Sequence, residues 1–305
     1  MSAITATARP TAAGAAIDTT ARRTGAGKKR ATTVVLSILA VIVFLFSVFP
    51  VYWMINTSFQ PNNQVRARVL HFWPDNFTLR NYGTVLFDQN RAQFGPAFMN
   101  SILVTILTVA IALVFAFLAA LAVTRFRFKS RKAFIIAILI VQMIPGEAMI
   151  VSIFRVLDGW SLLNSIGGLT IVYVATVLPF TIWTLRGFVN GVPAELEEAG
   201  MIDGLSRTGA FWKITFPLLA PGLVATGVFG FIQAWNEFLL ALVVNARPEA
   251  MTLPVWLRTF QTLTGTTNWA AIMAGSTLMA IPVIVFFLLV QGRMTSGLVS
   301  GAVKG

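Results

Sequence analysis

The sequence predicts an all-α polytopic membrane protein with six transmembrane helices. Three observations carry that expectation. Of the 305 residues 56% are hydrophobic, only 11% are charged where soluble domains carry about 25%, and the apolar residues fall in runs near the roughly 18 to 20 that cross a bilayer core. Cysteine is absent and His71 is the single histidine, so disulfides, thiolate chemistry and histidine-rich metal sites drop out, and no metal is expected. A formal charge of +12 would suit nucleic acid in a soluble chain. In a membrane chain it records orientation and contact with anionic membrane lipids, and no nucleic-acid partner is expected.

Taken in order, residues 1–32 are rich in Ala, Thr, Gly and Arg and read as a disordered basic tail. The remainder, 33–305, reads as one transmembrane domain. Its first apolar run, 33–55, is too long and ends too bulkily for a cleaved signal peptide, so it stays as the first span. The others are expected at 98–123, 133–154, 166–185, 218–244 and 270–291. With the N-terminus inside, sixteen Lys and Arg fall on the cytoplasmic side and seven outside. The short basic loop 125–132 decides the orientation. Both termini are then cytoplasmic.

Two loops carry more than a connection. The external stretch Phe72–Tyr82 is aromatic and turn-rich and is expected to fold against the outer membrane face. In the cytoplasmic stretch 193–217, Pro193 suits a helix start and Glu195, Glu197 and Glu198 favour the positive end of its dipole. Leu196, Ala199 and Ile202 recur at three-residue spacing, and Gly204 ends this short amphipathic helix. Ser206 caps a second short helix carrying Phe211, Trp212 and Ile214, before Pro217 opens the fifth span. Such a helix-turn-helix between spans suggests docking.

Within the spans, Thr226, Gly230, Gln233 and Glu237 form one small, polar helical stripe. A carboxylate inside a span needs protein, water or a partner beside it, so Glu237 is a pathway or gate candidate, with Asn236 beside it. The bland alternative is that Asn236 and Glu237 only hydrogen-bond neighbouring helices. Glu147 follows Pro145-Gly146, where a kink is expected, and it joins Gln142 and Gln233 as pathway candidates. A structural or gating partner for arginine is the alternative role of Glu147. Trp73, Trp160, Trp183, Trp256 and Trp269 read as interfacial belts, and His71 is assigned no chemistry.

Glu198-Ala199-Gly200, three residues, Gly204, nine residues, then Ile214-Thr215-Phe216-Pro217 resembles the E-A-A loop of ABC importer permeases. Gly200 stands for the second alanine and Phe216 for a leucine. Ala234-Trp235-Asn236-Glu237-Phe238, Thr252-Leu253-Pro254-Val255 and the ending Ser296–Gly305 are similar to the carbohydrate group, in the subunit type of the second maltose-system permease. The resemblance covers residue 33 to the end. It implies a type I importer permease fold in the cell (inner) membrane and a homologous second permease that completes the pathway. It also implies a cytoplasmic ABC ATPase dimer, an extracytoplasmic solute-binding protein and a small-molecule sugar substrate.

On that resemblance, Leu196, Glu198, Ala199, Gly200, Ile202, Asp203, Gly204, Ile214 and Pro217 couple to the ATPases. Gly301, Ala302, Val303, Lys304 and Gly305 lie near the ATPase dimer. ATP and Mg belong to the partner subunits and this chain holds no cofactor; its sequence contains no G-x-x-x-x-G-K-[ST] phosphate loop. Two other classes are weighed. A proton-coupled secondary transporter would use Glu147 and Glu237 as a relay. An intramembrane hydrolase lacks H-E-x-x-H, G-x-S-x-G and paired aspartates in spans.

Overall fold

The computed structural model describes residues 20–67, 71–88, 93–261 and 267–302, with side chains from 32 to 292 within those ranges. All regular structure among them is helical. The chain divides into two units, residues 1–53 and 54–305. The first is occupied by most of helix α1 (Thr20–Ser58). Its apolar side chains are exposed from Val34 to Val51, a surface suited to hydrocarbon rather than water. The helix starts thirteen residues before Thr33, so 20–32, expected as tail, is helical. Ala, Arg and Lys are good helix formers, and extending a helix already nucleated by the apolar run costs little. Residues 1–19 lie outside the described residues.

The second unit holds α2 (Asn62–Val65), α3 (Arg80–Phe87), α4 (Phe94–Arg125), α5 (Arg131–Met143), α6 (Ile150–Gly159), α7 (Ile166–Gly191), α8 (Glu195–Ile202), α9 (Arg207–Ala210), α10 (Phe216–Asn236), α11 (Leu239–Val244), α12 (Leu253–Leu257) and α13 (Trp269–Ala302). Among the described residues, five helical stretches are long and apolar enough to cross a membrane. The pair α5 and α6, bent by 85°, makes a sixth if taken as one broken span. The break falls at Ile144-Pro145, followed by a 3-10 turn over Gly146–Met149, because proline cannot donate the N–H that a continuous helix needs there. The kink expected in the third span is therefore a change of direction.

At the centre, α4 packs on α7 and α10. Ser101, Thr105, Thr108, Ala112, Ala116 and Ala120 step along α4 at three- and four-residue intervals, all buried. Small side chains let helix backbones approach where hydrocarbon provides no hydrophobic drive between helices. Helix α10 answers with its own small residues. A Cβ on Gly230 would lie 3.3 Å from Val177, and one on Gly222 only 2.4 Å from the Phe188 ring. Thr226, between them, returns its hydroxyl to the Gly222 carbonyl at 2.6 Å. Thr226 and Gly230 thus belong to this interface.

The fifth span differs from expectation at both ends. Ser206 caps α9, its hydroxyl accepting from the Gly209 N–H at 3.1 Å. That helix then runs through a π turn at Phe211–Thr215 directly into α10. The second short helix and the span are continuous, and Pro217 does not open the span but follows the π turn, where the i→i−4 ladder is already interrupted and a missing N–H is accommodated. At the other end the helix stops at Asn236, so Glu237 sits at a break rather than inside a span.

The loops at the end remote from α8 are well tied. Asn81 donates to the Ser58 and Gln60 carbonyls, both at 2.8 Å, Tyr82 and Ser58 share a 2.7 Å hydroxyl contact, and Phe77 stacks on Phe59 at 4.8 Å. Asn56 and Gln60 donate to the His71 carbonyl, and the His71 ring meets Asp75. Trp256, expected in a belt, is instead fully buried. Phe94 and Phe260 meet its ring edge-on, and Gly275 leaves room for it. Trp73, Trp160, Trp183 and Trp269 are exposed.

Candidate functional site

Two places gather the residues singled out by sequence. The first is the loop at α8. Here the Gly204 N–H bonds the Met201 carbonyl and the Leu205 N–H bonds the Gly200 carbonyl, while Gly204 has φ of +91°. That is a Schellman reversal with glycine at the left-handed position. Nothing crowds a Cβ at Gly204, so backbone conformation, not close approach, requires glycine there. Gly200 is the reverse case: a Cβ would lie 2.4 Å from Ile214 Cδ1. The isoleucine tip fills the space that the pattern's alanine methyl would take.

The two sides of α8 have separate roles. Leu196, Glu198, Ala199 and Ile202 are exposed, Ile202 to 87%, and Asp203 is exposed at the helix end. The inward side carries Gly200 and Glu197. Glu197 accepts from the Thr215 hydroxyl at 2.8 Å and pairs with Arg125 at 3.4 Å. The same Arg125 Nη2 donates to the Val192 carbonyl at 3.0 Å. From sequence alone Arg125 and Thr215 have no role of their own, and Glu197 has only that of a carboxylate favouring the start of the helix. One signal was present: Glu197 lies three residues before Gly200, on the face opposite the apolar stripe. Gly301 and Ala302 end α13, with side chains outside the description, and Val303, Lys304 and Gly305 lie outside the described residues.

The second place is a cleft of about 230 Å³ between the broken third span and the ends of α7 and α10, bordered by Gly146, Glu147, Tyr173, Thr176, Gln233 and Glu237. Gln233, Thr176 and Gly146 also border a larger, mainly apolar cleft of about 660 Å³ that contains Gln142. Four of the five pathway candidates therefore line two adjoining clefts. Asn236 lines neither. Its amide returns to the Ile232 carbonyl of its own helix at 2.9 Å.

Glu237 is a committed acceptor. Its Oε1 takes the Leu240 N–H at 2.8 Å, and its Oε2 takes the Ala241 N–H at 2.9 Å and the Tyr173 hydroxyl at 2.8 Å. It caps α11 and ties it to α7, a role predicted only as part of the bland alternative; Tyr173 went unnoticed. Glu147 is exposed, and its carboxylate has no partner among the described residues. Among those residues no group of three or more potential metal ligands occurs.

A multi-pass helical membrane protein with a rigid loop at one end and polar clefts at broken helices has the build of a transport subunit. The chain belongs to the family of binding-protein-dependent transport system inner membrane components, which matches residues 112–298. This is the permease class of ABC transporters. It is 45% identical to the diacetylchitobiose uptake system permease of Streptomyces coelicolor, over 88% of this chain and 96% of that one. It is 35% identical to the trehalose transport system permease of Mycobacterium tuberculosis, over 92% and 100%. The trehalose/maltose permease of Thermococcus litoralis is likewise 35% identical, over 89% and 97%. In fold it is similar to a chain of a bacterial alginate-importing ABC transporter, with a TM-score of 0.72 over 87% of this chain and 97% of that one, at 23% identity.

Proposed function

We propose that the chain is the permease of an ATP-driven importer for a sugar or oligosaccharide. It forms a pathway with a homologous second permease and is driven by cytoplasmic ATPase subunits that carry ATP and Mg. The sugar class is supported by relatives whose substrates are diacetylchitobiose, trehalose and trehalose/maltose. A solute-binding protein delivers the substrate, a reading supported by the family description and by an alginate transporter crystallised with its loaded periplasmic protein. The coupling reading is carried by one observation, the exposed Leu196, Ala199 and Ile202 face of α8 on an internally braced loop. Apolar side chains exposed at a polar end of the molecule need a protein groove. Closure of the ATPases around ATP then moves the loop and turns the clefts at Gln142, Glu147 and Gln233 toward the outside.

Docking is tested by Ile202→Glu and Glu198→Ala in the reconstituted complex, measuring ATPase recovery, hydrolysis and uptake together. The first variant should lose ATPase recovery and the second should lower transport per ATP hydrolysed. Normal values for both would remove the docking reading. Cytoplasmic termini are tested in intact cells. Single cysteines at Asn76 should react with an impermeant thiol reagent and those at Ser130 and Ser206 should not; labelling at Ser130 from outside overturns the orientation. A proton relay through Glu147 and Glu237 is not favoured, since Glu237 is engaged by Tyr173 and two backbone donors.

A further inference from the structure

The helix that docks must transmit force to the spans, and three segments meet at one guanidinium while a fourth joins through its carboxylate partner. Arg125 is the last residue of α4. Its Nη2 reaches the Val192 carbonyl, which follows the end of α7, at 3.0 Å, and Glu197 of α8 at 3.4 Å. Glu197 in turn accepts from Thr215, the last residue of the π turn that leads into α10. The Arg125 and Glu197 side chains are only 18% and 17% exposed, so this pair is less screened than a surface ion pair. Arginine also suits the place electrostatically, since carbonyls at a helix end attract a cation.

We propose that Arg125, Glu197 and Thr215 form a clamp that makes α8 and the bases of α4, α7 and α10 move as one body, with Arg125 as the positioning residue for coupling. The proposal rests on the docking reading above. Gly200 and Ile214 hold α8 against the π turn by shape, but apolar contacts between smooth surfaces allow sliding. The clamp adds a hydrogen bond from the α10 base to α8, one from α4 to the segment after α7, and an ion pair between α4 and α8. Displacement of α8 by a partner is thereby delivered to the small-residue interface of α4, α7 and α10 instead of being absorbed in the loop. None of the three side chains needs to touch a partner for this.

The test uses the full complex in nanodiscs, with spin labels at Ala194→Cys and Leu118→Cys. Both positions are exposed, and the chain's lack of cysteine makes the labels unique within it. Arg125→Gln, Thr215→Val and the conservative Arg125→Lys are compared with the parent for the width of the α8 to α4 distance distribution, and, without labels, for uptake per ATP hydrolysed. The first two variants should broaden the distribution and lower uptake per ATP by about threefold to tenfold, the range that losing one ordinary hydrogen bond spans. Arg125→Lys should recover part of both. An unchanged width, or a broadened width with unchanged uptake per ATP, overturns the proposal. Failure of the docking reading has a separate signature, because Ile202→Glu would then leave ATPase recovery and uptake at parental values.

Discussion

Glu147 and Glu237 stand at the two breaks in the apolar helices, border the same cleft, and are put to opposite uses. Glu237 follows the last turn of α10 and serves the Tyr173 hydroxyl and the N–H groups of Leu240 and Ala241. Glu147 lies in the turn after Pro145, exposed and without a partner among the described residues. An ionisable side chain at a break in an apolar helix can thus be tolerated in two ways. It is either committed to its own backbone or left for water, cargo or a neighbouring subunit. Which applies depends on the backbone beside it, since a new helix start offers N–H groups that need acceptors.

The contrast is most directly broken at Glu237. Replacing it with leucine strands two N–H groups, at about 1–3 kcal/mol each, and leaves the buried Tyr173 hydroxyl only its 3.4 Å contact with the backbone carbonyl of residue 237, so the purified chain should lose about 3 kcal/mol. Thermal unfolding in nanodiscs would report it. Glu237→Gln keeps acceptor oxygen and should lose about 1 kcal/mol. A Glu237→Leu protein as stable as the parent would end the distinction. The reversal at Gly204 extends it to a turn that needs no carboxylate: Gly204→Val should cost about 2 kcal/mol through its positive φ, while Gly204→Asn should cost about half that. Equal losses for the two would mean that volume, not φ, matters.

Glu147→Gln should change stability by less than about 0.5 kcal/mol and yet lower uptake several-fold, as a residue reserved for the pathway would. A stability loss like that at Glu237 would merge the two cases. Smallest of all, Asn236→Ala should shift stability by less than about 0.5 kcal/mol and leave uptake unaltered, because its amide only returns to Ile232.

How much of this was legible in the sequence follows from the range of each interaction. The break at Pro145 and the reversal at Gly204 were readable, because proline and glycine impose backbone geometry locally. The cap at Glu237 was hidden by its surroundings. Phe238 through Val244 continue the apolar run, so hydropathy draws one span where the backbone makes two helices. Trp256 read as an interfacial residue because its partners, Phe94 and Gly275, come from other helices. The pairing of Arg125 with Glu197 was out of reach for the same reason. Nothing in either neighbourhood names the other, and only the fold, which ends α4 beside the segment leading from α7 into α8, brings them together.

The π turn explains why the chain length from Gly204 to Pro217 is not free. One buried face of this helix runs through Ala210, Thr215, Leu219, Gly222, Thr226 and Gly230. The first step is five residues and the rest are three or four. Deleting one residue from Phe211–Thr215 would restore an ordinary α turn with both faces still in phase, because five residues through a π turn and four through an α turn each close about one revolution. A further insertion has no such outlet: taken up as regular helix, it would swing everything beyond by about 100° relative to everything before, and either Thr215 would leave Glu197 or Gly222 would turn from Phe188. The π turn is thus where one surplus residue between Gly204 and Pro217 is absorbed. Sequence drift there can take that residue away or change its chemistry, but it cannot add another without turning the buried face of α10 from its partners.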